Sequence, residues 1–181
     1  VRVSGRPFGE PTNKDSRMLP RLALSLLIAG KCASYTVQHA QLTLVRHGQS
    51  EWNAANRFTG WIDVDITERG IIEARQAGNI LKEQGLQHDL VCTSCLRRAI
   101  RTACLVLSAS DQCFVPLIKD VRLNEQHSGA LTGYNKRALA KAQGIEQVMQ
   151  WRRAYDVPPP PLSEEDPFQR ALVQDERYRD S

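Results

Sequence analysis

The sequence predicts an α/β fold, a mostly parallel sheet covered by helices on both faces. Two observations carry this: short apolar, β-branched runs alternate with longer segments of helical periodicity, and the first two runs each end in polar sequence, Arg46-His47 and Thr93-Ser94. Residues 42–46, Leu-Thr-Leu-Val-Arg, feed a Gly-containing loop and read as the first buried strand. Thr67 can cap a helix that puts Ile71, Ala74, Ala77, Gly78 and Leu81 on one stripe and stops at Gly85. Residues 89–93 form a second short strand. Ser94 is then expected to cap a helix with Leu96, Ala99, Ile100, Ala103, Cys104 and Leu107 on its apolar face and Arg97 and Arg101 on its polar one. Residues 114–118 predict a further strand, and residues 134–142, closed by Gly144, and 145–153 predict helices. Beyond Trp151 lie four consecutive prolines and then a polar stretch with nothing strand-like. In open parallel sheets ligands bind beyond the carboxyl ends of the strands, where Arg46-His47 and Thr93-Ser94 fall.

A length of 181 residues fits one domain at roughly 100–200 residues each. Residues 1–40 hold six bases and two acids, which leaves 18 of each sign for residues 41–181. A neutral body lacks the basic excess that a nucleic-acid phosphate backbone demands, so nucleic acid is not an expected partner and any anion site must be local. With 41% hydrophobic and 24% charged residues, collagen, coiled coil and wholesale disorder are excluded. The leader, residues 1–40, reads as disordered over 1–17 and targeting-like over 18–35, where the apolar run is too short to span a membrane. Five cysteines, an odd number, read as reduced and mostly buried, and Cys92-x-x-Cys95 lacks the second ligand pair of a zinc site; no metal is expected.

The chemistry concentrates in residues 44–53, LVRHGQSEWN. A neutral imidazole held through one ring nitrogen can attack phosphorus with the other, while an adjacent guanidinium neutralises phosphoryl oxygens. His47 and Arg46 offer that pair, and Gly48 allows close approach.

That segment, with RFTGWIDVDIT (57–67), TSCLRRAIRTA (93–103), RLNEQHSGALTGYNK (122–136) and WRRAYDVPPPP (151–161), resembles, in the same order and without gaps, the cofactor-dependent phosphoglycerate mutases of the histidine phosphatase superfamily. The resemblance implies the three-layer α/β/α fold of that family over residues 41–181, incomplete at its C-terminal side. It implies that His47 is the nucleophile, primed as a phosphohistidine by 2,3-bisphosphoglycerate and exchanging the phosphoryl group between the 2- and 3-hydroxyls of glycerate in glycolysis. Glu125 is then the general acid/base, a task typically contributing ~10² to 10⁴ in rate. Arg46 and Arg98 form the phosphate clamp, and Arg97 is a solvated neighbour. The implied substrate contacts continue through Gly48, Gln49, Ser50, Glu51, Trp52 and Asn53, through Thr59 and Gly60, through Gln126, His127 and Ser128, and through Lys136, Arg152 and Arg153. Small phosphoglycerates are the implied partners, self-association as a homodimer or tetramer the implied assembly, and the cytoplasm the implied compartment, with secretion or an organelle as the alternative if residues 18–35 target the chain.

Two departures qualify this. Where family members usually read Leu-Asn-Glu-Arg-His-Tyr-Gly, residues 123–129 read Leu-Asn-Glu-Gln-His-Ser-Gly. Gln126 loses a cation and Ser128 a phenol; a lost hydrogen bond to a charged group costs ~1.5 to 3 kcal/mol, so weaker binding and more hydrolysis are expected. The family also uses a second histidine, in an Ala-His-Gly-Asn-Ser-like segment on a later strand. None of His39, His88 or His127 is placed to replace it, and the native chain is expected to continue past Ser181. The rival readings are a short non-catalytic binder of phosphometabolites or of a partner, and a bisphosphoglycerate mutase or phosphatase. The Arg152-Arg153 segment with its prolines favours the mutase.

Overall fold

The computed structural model describes Val3, Ser4 and residues 40–179. Of the leader expectations, targeting over 18–35 and the placing of His39 lie outside the described residues, as does disorder over 1–17 apart from Val3–Ser4, which form a short strand instead. The chain divides into two compact units, residues 4–44 and residues 45–181 with 1–3; the site described below belongs to the second.

The strands are short. In chain order β1 is Val3–Ser4 and β2 is Leu44–Val45, which make a two-stranded sheet; β3 is Val91–Thr93 and β4 is Leu117–Lys119, which pair in parallel with Val91 opposite Leu117 and Thr93 opposite Lys119. The helices are α1 (Glu51–Ala54), α2 (Glu68–Glu83), α3 (Arg97–Ala109), α4 (Lys136–Gln143), α5 (Ile145–Arg153) and α6 (Pro167–Val173). Among the described residues no helix is long and apolar enough to cross a membrane.

Helix α2 forms where its sequence places it. Thr67 Oγ1 accepts the Gly70 amide at 3.1 Å, and the chain leaves the helix through Gly85 at φ +64. Ala74, Ala77 and Leu81 bury a narrow stripe against Val106 of α3, with Val45, Leu86 and Leu105 packed around it. Small residues bring the two helices close: a Cβ on Gly78 would meet the Val106 carbonyl at 2.5 Å. A second cluster, Phe58, Leu131 and Val148, joins α5 to the loop before α4.

Several expectations shift. The helix after β3 starts at Arg97, not after Ser94, because Ser94 Oγ accepts only the Leu96 amide while the Arg97 amide donates to Asp63 Oδ1 at 2.6 Å. Its buried positions are Arg98, Thr102, Val106 and Leu107, so the inward stripe is rotated and Cys104 faces solvent. Cys92 and Cys113 are exposed as well and Cys95 is half-buried, which corrects the expectation of mostly buried cysteines. Strand β4 begins at Leu117 rather than at residue 114; Pro116 has no N–H to give a ladder, and its carbonyl accepts from Val91. Helix α6 was not expected. Its start is conventional, with Asp166 capping the Phe168 amide and Pro167 in the first turn.

Candidate active site

The loop after β2 is wedged between α2 and α3. A Cβ on Gly48 would lie 2.3 Å from the Gly70 carbonyl and one on Gly70 2.3 Å from the Gln49 carbonyl, so only glycine at both positions lets the loop meet the first turn of α2. Gly48 donates its amide to Thr102 Oγ1 on α3 at 3.0 Å, and Gln49 donates its own to Glu73 Oε2 on α2 at 2.9 Å. Fully buried Ser50 closes a capping box with Asn53, which starts α1. His47 is thereby held by both helices. Its Nδ1 lies 2.8 Å from the Gly48 carbonyl. A carbonyl only accepts, so Nδ1 carries the proton and Nε2 keeps its lone pair. Burial, foremost, holds the imidazole pKa below 6.5, and the Arg98 and Arg46 cations add to this against the Gly48 bond and Glu125.

Arg98 is the keystone beside it. The side chain is 1% exposed, and its guanidinium donates to the Ile62 carbonyl at 3.0 Å, the Gly60 carbonyl at 2.8 Å and Glu125 Oε2 at 2.9 Å. It thus fixes the 60–62 turn and presents the Glu125 carboxylate, which is 55% exposed. Gly60 adopts φ +53, and a Cβ there would strike the Ser128 amide at 2.7 Å.

These groups line one cavity of about 600 Å³. Arg46, His47, Asn53, Thr59 and Arg98 line it from one side of the sequence, and Glu125, Gln126, His127, Ser128, Lys136, Arg152 and Arg153 from the other. Five arginine and lysine side chains therefore face one carboxylate, a local anion site on a neutral body. Burial and the Arg152 cation push the Lys136 ammonium down from its usual value, and burial does the same for the His127 imidazole. Thr59 Oγ1 is buried with no hydrogen-bond partner, a polar atom awaiting one from the cavity. Cys92, Thr93 and Ser94, at the end of β3, complete the floor with Trp151 and Pro159.

Six of the residues expected as substrate contacts do not line the cavity: Gly48, Gln49, Ser50, Glu51, Trp52 and Gly60. Gln49 Oε1 accepts from Thr67, Ser50 caps α1, Glu51 sits in its first turn, and Trp52 packs edge-on to Phe168 of α6 with ring centroids 5.7 Å apart. Sequence reasoning missed Trp61, whose indole N–H donates to the Glu125 carbonyl at 2.7 Å, and Asp63, which caps α3. Partners 64 and 34 positions apart leave no local signal. Among the described residues no group of three or more His, Cys, Asp or Glu could hold a metal ion.

Residues 42–172 match the profile of the histidine phosphatase superfamily (branch 1). The chain is 51% identical over 142 residues to a 2,3-bisphosphoglycerate-dependent phosphoglycerate mutase of Corynebacterium glutamicum, covering 78% of this chain and 56% of that one. It is 53% identical over 141 residues to the 2,3-bisphosphoglycerate-dependent phosphoglycerate mutase 2 of Lactiplantibacillus plantarum, covering 78% and 60%. The chain thus spans little more than half the length of these curated relatives. Among solved structures, a mycobacterial glucosyl-3-phosphoglycerate phosphatase superposes with a TM-score of 0.54 at 29% identity, over 62% of this chain and 53% of that one.

Proposed function

Since the chain belongs to the histidine phosphatase superfamily (branch 1), we propose that its cavity interconverts 3-phosphoglycerate and 2-phosphoglycerate through phosphorylated His47, with 2,3-bisphosphoglycerate as the primer. The single observation that carries the reading is the state of His47: Nδ1 is fixed on the Gly48 carbonyl, the ring is kept neutral by burial, and Nε2 is free in a cavity that Arg46 and Arg98 share. The names of the curated relatives support the choice of phosphoglycerates as substrates. Cavity chemistry fits a doubly phosphorylated, carboxylate-bearing primer, because five cations and the orphaned Thr59 hydroxyl await anionic oxygens.

In the forward half-reaction Nε2 of His47 attacks phosphorus, the N–P bond forms and the P–O ester bond breaks. Its electron pair stays on the ester oxygen, which takes the proton of the Glu125 carboxylic acid. Arg46 and Arg98 neutralise the non-bridging oxygens throughout. In the complementary half-reaction the free hydroxyl of a bound monophosphoglycerate attacks the phosphohistidine phosphorus, its proton passes to Glu125, the N–P bond breaks to free His47, and the 2,3-bisphosphoglycerate so formed gives up its other phosphoryl group to His47. Lys136, Arg152 and Arg153 hold the carboxylate and the phosphate that is not transferred, with Asn53 on the transferring group. Glycolysis in the cytoplasm and a homodimer or tetramer complete the proposal.

Gln126 and Ser128 favour a share of hydrolysis, since each removes a ligand-holding group that the resemblance leads one to expect. Supplying 3-phosphoglycerate with 2,3-bisphosphoglycerate and measuring 2-phosphoglycerate against inorganic phosphate tests the reading. Mutase activity gives transfer in excess, lost in His47→Ala; release of phosphate equal to transfer contradicts it.

A further inference from the structure

Glu125 is held at two points, and only one of them faces the cavity. Its carboxylate meets Arg98 at 2.9 Å, and its backbone carbonyl accepts the Trp61 indole N–H at 2.7 Å. Both holders are rooted in the same turn, because Arg98 grips the carbonyls of Gly60 and Ile62 on either side of Trp61. With its side chain 55% exposed, Glu125 has little packing of its own to fix it, so these two hydrogen bonds set where its carboxyl points.

Trp61 is itself clamped. One neighbour is Tyr178, near the C-terminal end, with ring centroids 4.9 Å apart and planes tilted by 37°; another is His127, edge-on at 5.9 Å. Tyr178 is in turn tied to the acid/base loop, since its hydroxyl accepts from Asn124 Nδ2 at 3.2 Å, and Asn124 Oδ1 accepts the Cys95 amide at 3.0 Å. Arg177 anchors the same tail turn to Asp63 Oδ2 at 2.8 Å and to the Cys95 carbonyl at 3.0 Å. Trp61 does not line the cavity, so it has no direct access to a bound phosphate.

We propose that Trp61 is a positioning residue for the acid/base Glu125: its indole N–H fixes the carbonyl of that residue, and Tyr178 buttresses the indole from behind. The inference rests on the acid/base role proposed for Glu125. It assigns the tail turn 175–178 a share in the proton-transfer step, through Trp61, without contact with substrate.

Leaving-group chemistry separates this from a general structural role. An alkyl phosphate such as 3-phosphoglycerate needs a proton on its departing oxygen, whereas 2,4-dinitrophenyl phosphate leaves as a stable phenolate and needs none. Trp61→Phe keeps an aromatic ring against Tyr178 and removes the N–H donor together with the second ring of the indole. Phosphorylation of His47 by the alkyl ester is expected to slow about tenfold, the value of one hydrogen bond of ordinary strength, with phosphorylation by the dinitrophenyl ester unchanged. Equal slowing with both esters, or with neither, overturns the proposal. A wild-type chain that takes phosphate from the dinitrophenyl ester but not from phosphoglycerates refutes the mutase reading instead. Amide hydrogen exchange reports on the positioning without any turnover: residues 124–128 are expected to exchange about tenfold faster in Trp61→Phe while α2 and α3 keep their protection. Unchanged exchange in that loop also overturns the proposal.

Discussion

Replacing Arg98 with methionine removes the guanidinium while keeping an unbranched stem in a site that is 1% exposed. The Gly60 carbonyl is buried and loses its donor, and the Ile62 carbonyl, partly buried, loses another. Leaving a buried acceptor unpaired costs about 1–3 kcal/mol. The third partner, Glu125, is more than half exposed, so its ion pair contributes only ~0.2–1 kcal/mol. Relief of a buried charge offsets part of the loss. The net expectation is a destabilisation of about 3 kcal/mol, which for a chain of this length lowers Tm by about 10 °C. Urea unfolding followed by circular dichroism measures it, with Glu125→Gln as the companion variant, expected to lie within about 1 kcal/mol of wild type. A loss below about 1 kcal/mol in Arg98→Met would refute the keystone argument. So would equal losses in the two variants, since the carbonyl contacts would then carry nothing.

Three other expectations follow from single features of the structure. His47 titrates below 6.5 because it is buried near two arginines, so the acid limb of kcat/KM is expected to have its midpoint below 6.5, and a midpoint above it would show a solvated or anion-paired ring. The sign for stability is the same: the unfolded chain takes this proton first, so the contribution of His47 is full above 6.5 and declines as pH falls through the folded value. Gly78→Ala gains about 1 kcal/mol of helix propensity but drives a methyl to 2.5 Å from the Val106 carbonyl, and a net loss of stability is expected in thermal unfolding. Cys92, Cys104 and Cys113 are exposed and are expected to react quickly with a thiol reagent, but only Cys92 lines the cavity, so vanadate should protect it alone; protection of Cys104 or Cys113 would place the anion elsewhere.

Much of the layout was legible because it is local. The Thr67 cap, the small-residue stripe of α2 and the Gly144 break before α5 are written in neighbouring residues, and the structure follows them. What escaped depends on distant partners. Asp63 reaches across 34 positions to set the start of α3, and its effect rotates the buried stripe from Cys104 to Arg98 and Thr102. A buried arginine on that stripe contradicts hydrophobic periodicity, and the carbonyls of the 60–62 turn together with the Glu125 carboxylate make it tolerable. The site shows the same division. The resemblance brought the cavity-lining residues together, but it did not separate those that face the cavity from those, such as Ser50 and Gln49, that hold the loop in place. Trp61 and Tyr178 carried no mark in sequence, because their importance lies in a stack 117 positions long in the chain.

The most direct test of the account is the site of phosphorylation. The protein is incubated with 2,3-bisphosphoglycerate, quenched in alkali to preserve phosphohistidine, and mapped by peptide mass spectrometry. Because Nδ1 of His47 is engaged with the Gly48 carbonyl, one acid-labile phosphoryl group on Nε2 of His47 is predicted, absent from His47→Ala. A phosphoryl group on Nδ1, on another residue, or persisting in His47→Ala would contradict it.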